Sequence, residues 1–179
     1  MRTLPEVSTI GQVALVVRDL DRAMATWVGM GISPWHVYTF GPERLSTMAF
    51  RGHDISHAMR IALCSVGPTT YELIEPLAGP SIYAEHLVHC GEGLHHLGYY
   101  VDDIDAAVAA MTGQGYAVLQ AGRGFGVDGD GAYAYFDTAR DFGCILEAIL
   151  GPRRMPEPER IVPAPGAARP LTTRVDDVV

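Results

Sequence analysis

Two stretches of the chain repeat one another without a gap, and this repeat restricts the available folds more than any other feature. Residues 12–32 (QVALVVRDLDRAMATWVGMGI) align with residues 96–116 (HLGYYVDDIDAAVAAMTGQGY) at a constant offset of 84 residues (96 − 12). Identities fall at Val17/Val101, Asp19/Asp103, Asp21/Asp105, Ala23/Ala107, Ala25/Ala109, Gly29/Gly113 and Gly31/Gly115. Each copy opens with a short apolar run suited to a buried strand. An aspartate, Asp19 or Asp103, then stands where its carboxylate can accept the free amide hydrogens of a first helical turn. Apolar residues follow at helical spacing, Leu20, Met24 and Trp27 in one copy and Ile104, Val108 and Met111 in the other. Glycines close both helices. A repeat of this kind means two copies of one supersecondary unit sharing a core.

Beyond each helix the pattern turns to strands: PWHVYTF, STMAF, AMRIALCSV and TTYELIEPL in the first copy, YAVLQAGR, GAYAYFDT and GCILEAIL in the second. Gly-Pro at 41–42 and 67–68 and GVDGDG from Gly126 mark turns. Each module reads as a strand, a helix and about three strands. The expected organisation is one domain over 8–150, with module 1 at 8–78, a linker helix at 80–91 and module 2 at 92–150. From 151 to 179 the composition changes to a Pro-rich tail with little apolar periodicity, expected to be disordered or draped over a partner subunit.

The repeat also pairs residues able to bind a cation. Gln12 and His96 open the first strands at one register, while TYELI and ILEAI superpose at an offset of 75 residues (147 − 72), pairing Glu72 with Glu147. An ionised glutamate inside an apolar strand is costly unless a cation or partner offsets it. Two acids, an imidazole and an amide at symmetry-related positions therefore suggest one divalent cation. The mixed donor set accepts Zn, Mn, Co, Ni or Fe. His95 adjoins His96, and strict strand alternation sends one of the two away from such a site. His53 and His57 are four apart in a segment that reads as a loop, so no second metal site is expected there.

Composition narrows the chemistry. All 13 basic residues of the 179 are arginine, so no lysine is present for imine formation or a P-loop. A net charge of −8 argues against nucleic acid or an anionic membrane as partner. The three cysteines lie far apart without metal-site spacing. No apolar run approaches the ~18 residues of a membrane span, so a cytoplasmic location and a small-molecule substrate are expected.

With its ELIEPL strand joined through a short helix to a GLHHLGYY strand, the chain resembles the vicinal oxygen chelate superfamily, which includes glyoxalase I and methylmalonyl-CoA epimerase. The resemblance covers roughly residues 10–150 and implies an α+β fold. In it two βαβββ modules form a cup-shaped mixed sheet around a metal held by Gln12, Glu72, His96 and Glu147. The Gln-Glu-His-Glu set is similar to that of glyoxalase I, whereas the linker segment looks like the epimerases. The resemblance implies a metal-dependent isomerase or epimerase removing a proton next to a carbonyl, most like methylmalonyl-CoA epimerase. Glu147 and Glu72 would be its bases, with His57 as an acid/base standing where epimerases carry a second carboxylate. A glyoxalase I-type lyase, or an epimerase of another hydroxy-ketone in a secondary pathway, is the alternative within the class. A non-catalytic drug-binding resistance protein and an extradiol-type dioxygenase are further alternatives; the complete ligand set counts against the first, and Gln12 in place of a histidine against the second. A homodimer is expected because each module presents an incompletely closed sheet.

Overall fold

The computed structural model describes residues 9–164, so the ends of the chain, including the tail beyond 164, lie outside the described residues. Module 1 comprises β1 (Gln12–Val16), α1 (Leu20–Gly29), β2 (Trp35–Phe40), a hairpin of β3 (Thr47–Phe50) and β4 (His53–Asp54), β5 (Ala58–Val66) and β6 (Thr69–Ala78). A connecting helix, α2 (Ile82–His89), leads to module 2. There β7 (Gly93–Tyr100), α3 (Ile104–Gly113), β8 (Val118–Phe125), β9 (Gly131–Phe136), the short α4 (Ala139–Phe142) and β10 (Ile145–Leu150) follow, and β11 (Arg160–Val162) comes last.

The helix starts obey the local chemistry of their sequences. Asp19 accepts a hydrogen bond from the Arg22 amide at 2.9 Å, and Asp103 accepts from the amides of Asp105 and Ala106 at 2.9 and 3.0 Å. Ser81 does the same for α2, accepting from the Ala84 amide at 3.2 Å. Beyond α1 and α3 the chain reverses through Gly31 and Gly115, whose φ values of 87° and 96° are open to glycine at little cost. The buried stripe of α1, Leu20 and Met24, packs under module 1 with Trp35, Val37 and Leu73. That of α3, Ile104, Ala107 and Met111, packs under module 2 with Tyr99, Phe136 and Ala148. A third apolar cluster, with Tyr38, Phe40, Met59, Ile61, Tyr83 and Tyr135, fills the side of the sheet away from α1 and α3.

The strands form one mixed sheet in the order β11-β2-β5-β6-β1-β7-β10-β9-β8-β3-β4. The modules meet where β1 pairs antiparallel with β7, with Gln12 opposite Gly98, Val13 opposite Leu97 and Ala14 opposite His96. Adding the repeat offset of 84 to 12, 13 and 14 returns 96, 97 and 98. Val13 and Leu97 are thus repeat equivalents that face each other, and a local two-fold axis runs between them. The flanking ladders obey the same axis: Ala14 pairs with Glu72 in the parallel β1–β6 ladder, and its equivalent Gly98 pairs with Glu147 in the parallel β7–β10 ladder.

Two features depart from the sequence expectation. The β3–β4 hairpin leaves module 1 and pairs with the outer strand of module 2, Ala49 opposite Ala121 in β8. Residues 151–162, expected as an irregular tail, dock on their own chain. There β11 pairs antiparallel with β2, Ile161 opposite His36, and covers the outer edge of module 1. The outer strands β2 and β8 of the two modules are therefore both paired within the chain, and β11 and β4 form the edges of the sheet. Among the described residues no helix is long and apolar enough to cross a membrane.

Candidate metal centre

Four side chains from the two central strands and their parallel neighbours converge beside the two-fold axis. His96 is fully buried, and Glu147, Gln12 and Glu72 are only 4%, 6% and 7% exposed. His96 Nε2 lies 3.0 Å from Glu147 Oε2 and 3.5 Å from Glu72 Oε2. The Gln12 amide donates to Glu72 Oε2 at 2.6 Å. Rotating that amide by half a turn would present its carbonyl oxygen in the same place. Gly98, the residue facing Gln12, makes room for it: a Cβ there would lie 2.9 Å from Gln12 Cβ and 2.7 Å from Ile149 Cδ1.

The donor atoms of Glu72, His96 and Glu147 all lie within 4.8 Å of one another and could hold a metal ion. A cation with bonds of about 2.1 Å sets neighbouring donors roughly 3.0–3.4 Å apart, which suits the observed spacings. His96 Nε2 and Glu147 Oε2 are moreover buried with no well-formed hydrogen bond to any group beyond each other, an expensive state that a shared cation would relieve. The residues fit a divalent ion. In the metal-free protein a proton takes part of that role: burial alone would lower the His96 pKa, but the carboxylates of Glu147 and Glu72 outweigh it and hold the imidazolium up to about 9. Burial pushes the Glu72 carboxyl above its ordinary value, against the opposing effect of His96.

His95 departs from strand alternation. Opposite β1 the register slips between Ala14 and Leu15, whose partners are His96 and Leu94, so His95 is the extra residue of a β-bulge. It is buried, and its Nδ1 lies 2.8 Å from Nδ1 of His96. Burial, then the neighbouring His96 and His86, lowers its pKa to about 2, so His95 is neutral. It therefore accepts the Nδ1–H of His96 and leaves Nε2 of His96 facing the carboxylates, the orientation that a metal-ligating imidazole requires.

His57 is not brought into this group. It is buried, with both ring nitrogens unpartnered, and packs at 6.3 Å (ring centroids) against Tyr83 rather than on the cavity wall. His53 lies exposed in β4. The sequence reading also passed over the tyrosines. Tyr135 faces Glu147 across the β9–β10 ladder and lies 4.9 Å from the His96 ring, and its hydroxyl is hydrogen bonded to that of Tyr83 at 2.8 Å. The alternation of GAYAYF placed Tyr133 and Tyr135 on one face and was the available signal.

Above the metal group opens a cavity of about 420 Å³, with Gln12, Glu72 and Glu147 in its wall. Two βαβββ modules related by a local two-fold axis, with a carboxylate–imidazole group at their junction and a cavity over it, define a glyoxalase-type fold. The family model of the Glyoxalase/Bleomycin resistance protein/Dioxygenase superfamily matches residues 11–136. The chain belongs to this superfamily, the vicinal oxygen chelate proteins. Methylmalonyl-CoA epimerase from Mycobacterium tuberculosis is similar at 22% identity and TM-score 0.61, over 85% of this chain and 94% of that one. A variant of the Streptomyces coelicolor epimerase in complex with 2-nitronate-propionyl-CoA is similar at 18% identity and TM-score 0.62, over 84% and 99%. A hypothetical protein from Bacillus halodurans is similar at 18% identity and TM-score 0.61, over 83% and 98%. At these identities the likeness establishes the fold. Among curated protein sequences none matches the chain.

Proposed function

We propose that the protein is a metal-dependent isomerase or epimerase that removes a proton next to a carbonyl of a small substrate. One divalent cation would be held by Gln12, Glu72, His96 and Glu147. The observation that carries the reading is the buried, hydrogen-bond-deficient group of two carboxylates and an imidazole in the wall of a cavity. When bound, the cation supplies Lewis-acid polarisation of the substrate carbonyl, which raises the acidity of the adjacent C–H.

The chain's own residues divide the remaining work. Glu147 is the base, because its Oε2 is contacted by His96 alone, whereas Oε2 of Glu72 also accepts from Gln12. His96 is held by its hydrogen bond to His95 and keeps Nε2 on the carboxylates. The apolar wall keeps bulk water from the developing charge. Glu72 and Glu147 are the only carboxylates on the cavity wall, and they belong to one cluster.

Glu147→Gln tests the reading, because an amide can ligate but cannot take a proton. The variant should retain metal in part while α-proton exchange in deuterated water falls by about 10²–10⁴-fold, the usual contribution of a general base. Exchange at the wild-type rate would make Glu147 a ligand only. Absence of stoichiometric metal from the purified protein would favour a drug-binding role, and oxygen consumption with catechols a dioxygenase.

A further inference from the structure

The cavity has a wall, a roof and a charge pattern that together select one kind of occupant. Five aromatic rings form a continuous arc from module 1 to module 2. Tyr38 contacts Phe40 at 6.3 Å, Phe40 contacts Phe125 at 6.1 Å, Phe125 contacts Tyr133 at 6.4 Å, and Tyr133 contacts Tyr135 at 5.5 Å. All five line the cavity. Such an arc offers faces and edges to a ring-bearing ligand.

Within it the Tyr133 hydroxyl is buried and has no hydrogen-bond partner. Tyr133 itself is 7% exposed, with its ring laid over Gly122, where a Cβ would come within 2.6 Å of the phenol oxygen. Its rotamer is thus set by the fold, and a ligand oxygen reaching this hydroxyl would satisfy it. Burial, and after it the carboxylates of Glu147 and Glu72, hold its pKa above the ordinary value, so it stays a neutral donor.

Among the described residues the cavity lining holds no arginine; its one basic side chain is His36, and its carboxylates are Glu72 and Glu147. Those two charges would cancel a divalent cation, and no guanidinium of the described wall is left over for a phosphate or a second carboxylate. Pro152 and Met155 roof the cavity, and the arginines between them are engaged elsewhere: Arg153 with Asp130 at 2.7 Å and Arg154 with Asp128 at 2.6 Å. The volume of about 420 Å³ is roughly three times that of a cavity that takes up one benzene molecule.

We infer that the substrate is a compact, uncharged, ring-bearing carbonyl compound whose ring packs on the aromatic arc and whose second oxygen reaches Tyr133, rather than a coenzyme A thioester. The inference rests on the metal-site reading proposed above and concerns which molecule that site receives. It makes Tyr133 and Met155 specificity-determining residues.

The test is calorimetric binding to zinc-loaded wild-type protein, in which both Glu72 and Glu147 balance the charge of the cation. The probes are phenacyl alcohol (neutral, ring-bearing), phenylpyruvate (the same ring with a carboxylate) and methylmalonyl-CoA. Phenacyl alcohol should bind at least about tenfold more tightly than either anion, as expected when a charge enters without a counter-charge. Adding Tyr133→Phe should weaken it about five- to tenfold, the loss of one hydrogen bond. Adding Met155→Arg at the half-exposed roof should reverse the preference between phenacyl alcohol and phenylpyruvate. Tightest binding of methylmalonyl-CoA overturns the inference, as does unchanged affinity in both added variants. Tight phenacyl alcohol binding together with no α-proton exchange in the wild-type protein would sink the catalytic reading and leave this inference standing. Exchange on methylmalonyl-CoA alone would do the reverse.

Discussion

The two modules obey one symmetry and differ in what they place on it. Around the axis between Val13 and Leu97 the backbone ladders are equivalent: Ala14 lies between His96 and Glu72, and Gly98 lies between Gln12 and Glu147. Yet module 1 contributes an amide and a carboxylate, whereas module 2 contributes an imidazole and a carboxylate. The outer edges differ too. Module 1 borrows β11 from the end of the chain, and module 2 borrows β3 from module 1. Symmetry brings four side chains to one point, and its breaking decides their chemistry. An imidazole beside a carboxylate would make module 2 the stronger half of a metal site, while the amide of module 1 is neutral and would exchange its hydrogen bond to Glu72 for a ligand bond.

The sharpest way to break that comparison is to remove one donor from each half. Glu147→Ala should abolish stoichiometric metal, lowering affinity by more than the 10–100-fold typical of losing an outer-shell partner. Gln12→Ala should cost only about tenfold, since it removes a neutral donor and leaves both charges. Metal content by mass spectrometry and competition titration with a chromophoric chelator measure both. Equal losses would show that the halves are equivalent and that the amide matters as much as the carboxylate.

Much of this symmetric core was legible in the sequence. The gapless offset requires the two units to share strand register, and the paired positions of Gln12 with His96 and Glu72 with Glu147 follow from it. What was not legible is where the symmetry fails. Pairing of β3 with β8 joins Thr47 to Arg123, 76 residues further along (123 − 47), and no local periodicity encodes so distant a partner. The same holds for β11 on β2, hidden behind a proline-rich composition that suggests an irregular tail. His95 escaped because a bulge breaks the alternation that the pleat argument assumed. His57 looked available because its loop is polar, but its side chain turns inward against Tyr83.

A second pair of substitutions tests whether the axis is as tightly packed on both sides. Ala14 and Gly98 are repeat equivalents, but a Cβ at Gly98 meets Gln12 and Ile149 inside 3 Å. Gly98→Ala should therefore destabilise the protein by about 1–3 kcal/mol through overpacking and also weaken metal binding by displacing Gln12. Ala14→Gly at the fully buried partner position should cost only about 0.5–1 kcal/mol through backbone entropy and lost packing. Urea unfolding of the two variants measures the difference. Equal values would mean that the Gln12 side chain is free to move aside, and the two sides of the axis would then be interchangeable.

The smallest effect concerns how the roofing segment is fixed at its two ends. At module 1 it is held by the β11–β2 backbone ladder, which does not titrate, flanked by the ion pairs of Arg160 with Asp21 and Arg44 with Glu159. At module 2 it is held by the Val127 amide donating to the Arg154 carbonyl at 2.9 Å and by two ion pairs on the β8–β9 turn. The hydrogen bond from Arg154 holds the Asp128 carboxyl below its ordinary pKa, and that from Arg153 does the same for Asp130. A carboxylate depressed by folding adds stability above its unfolded pKa of about 3.9 and loses it as pH falls through the folded value. The module 2 end should therefore be fixed at neutral pH and loosen below about pH 4, while the module 1 end stays paired. Exposed pairs contribute little and are screened by salt, so the readout must be local. The amide chemical shift of Val127, followed by NMR, should move with acid titration, and that of Ile161 in β11 should not. Asp128→Asn combined with Asp130→Asn should place Val127 at its acid-form shift already at pH 7. If Val127 keeps its neutral-pH shift in that double variant, the backbone hydrogen bond alone fixes the module 2 end, and the two ends are held in the same way after all.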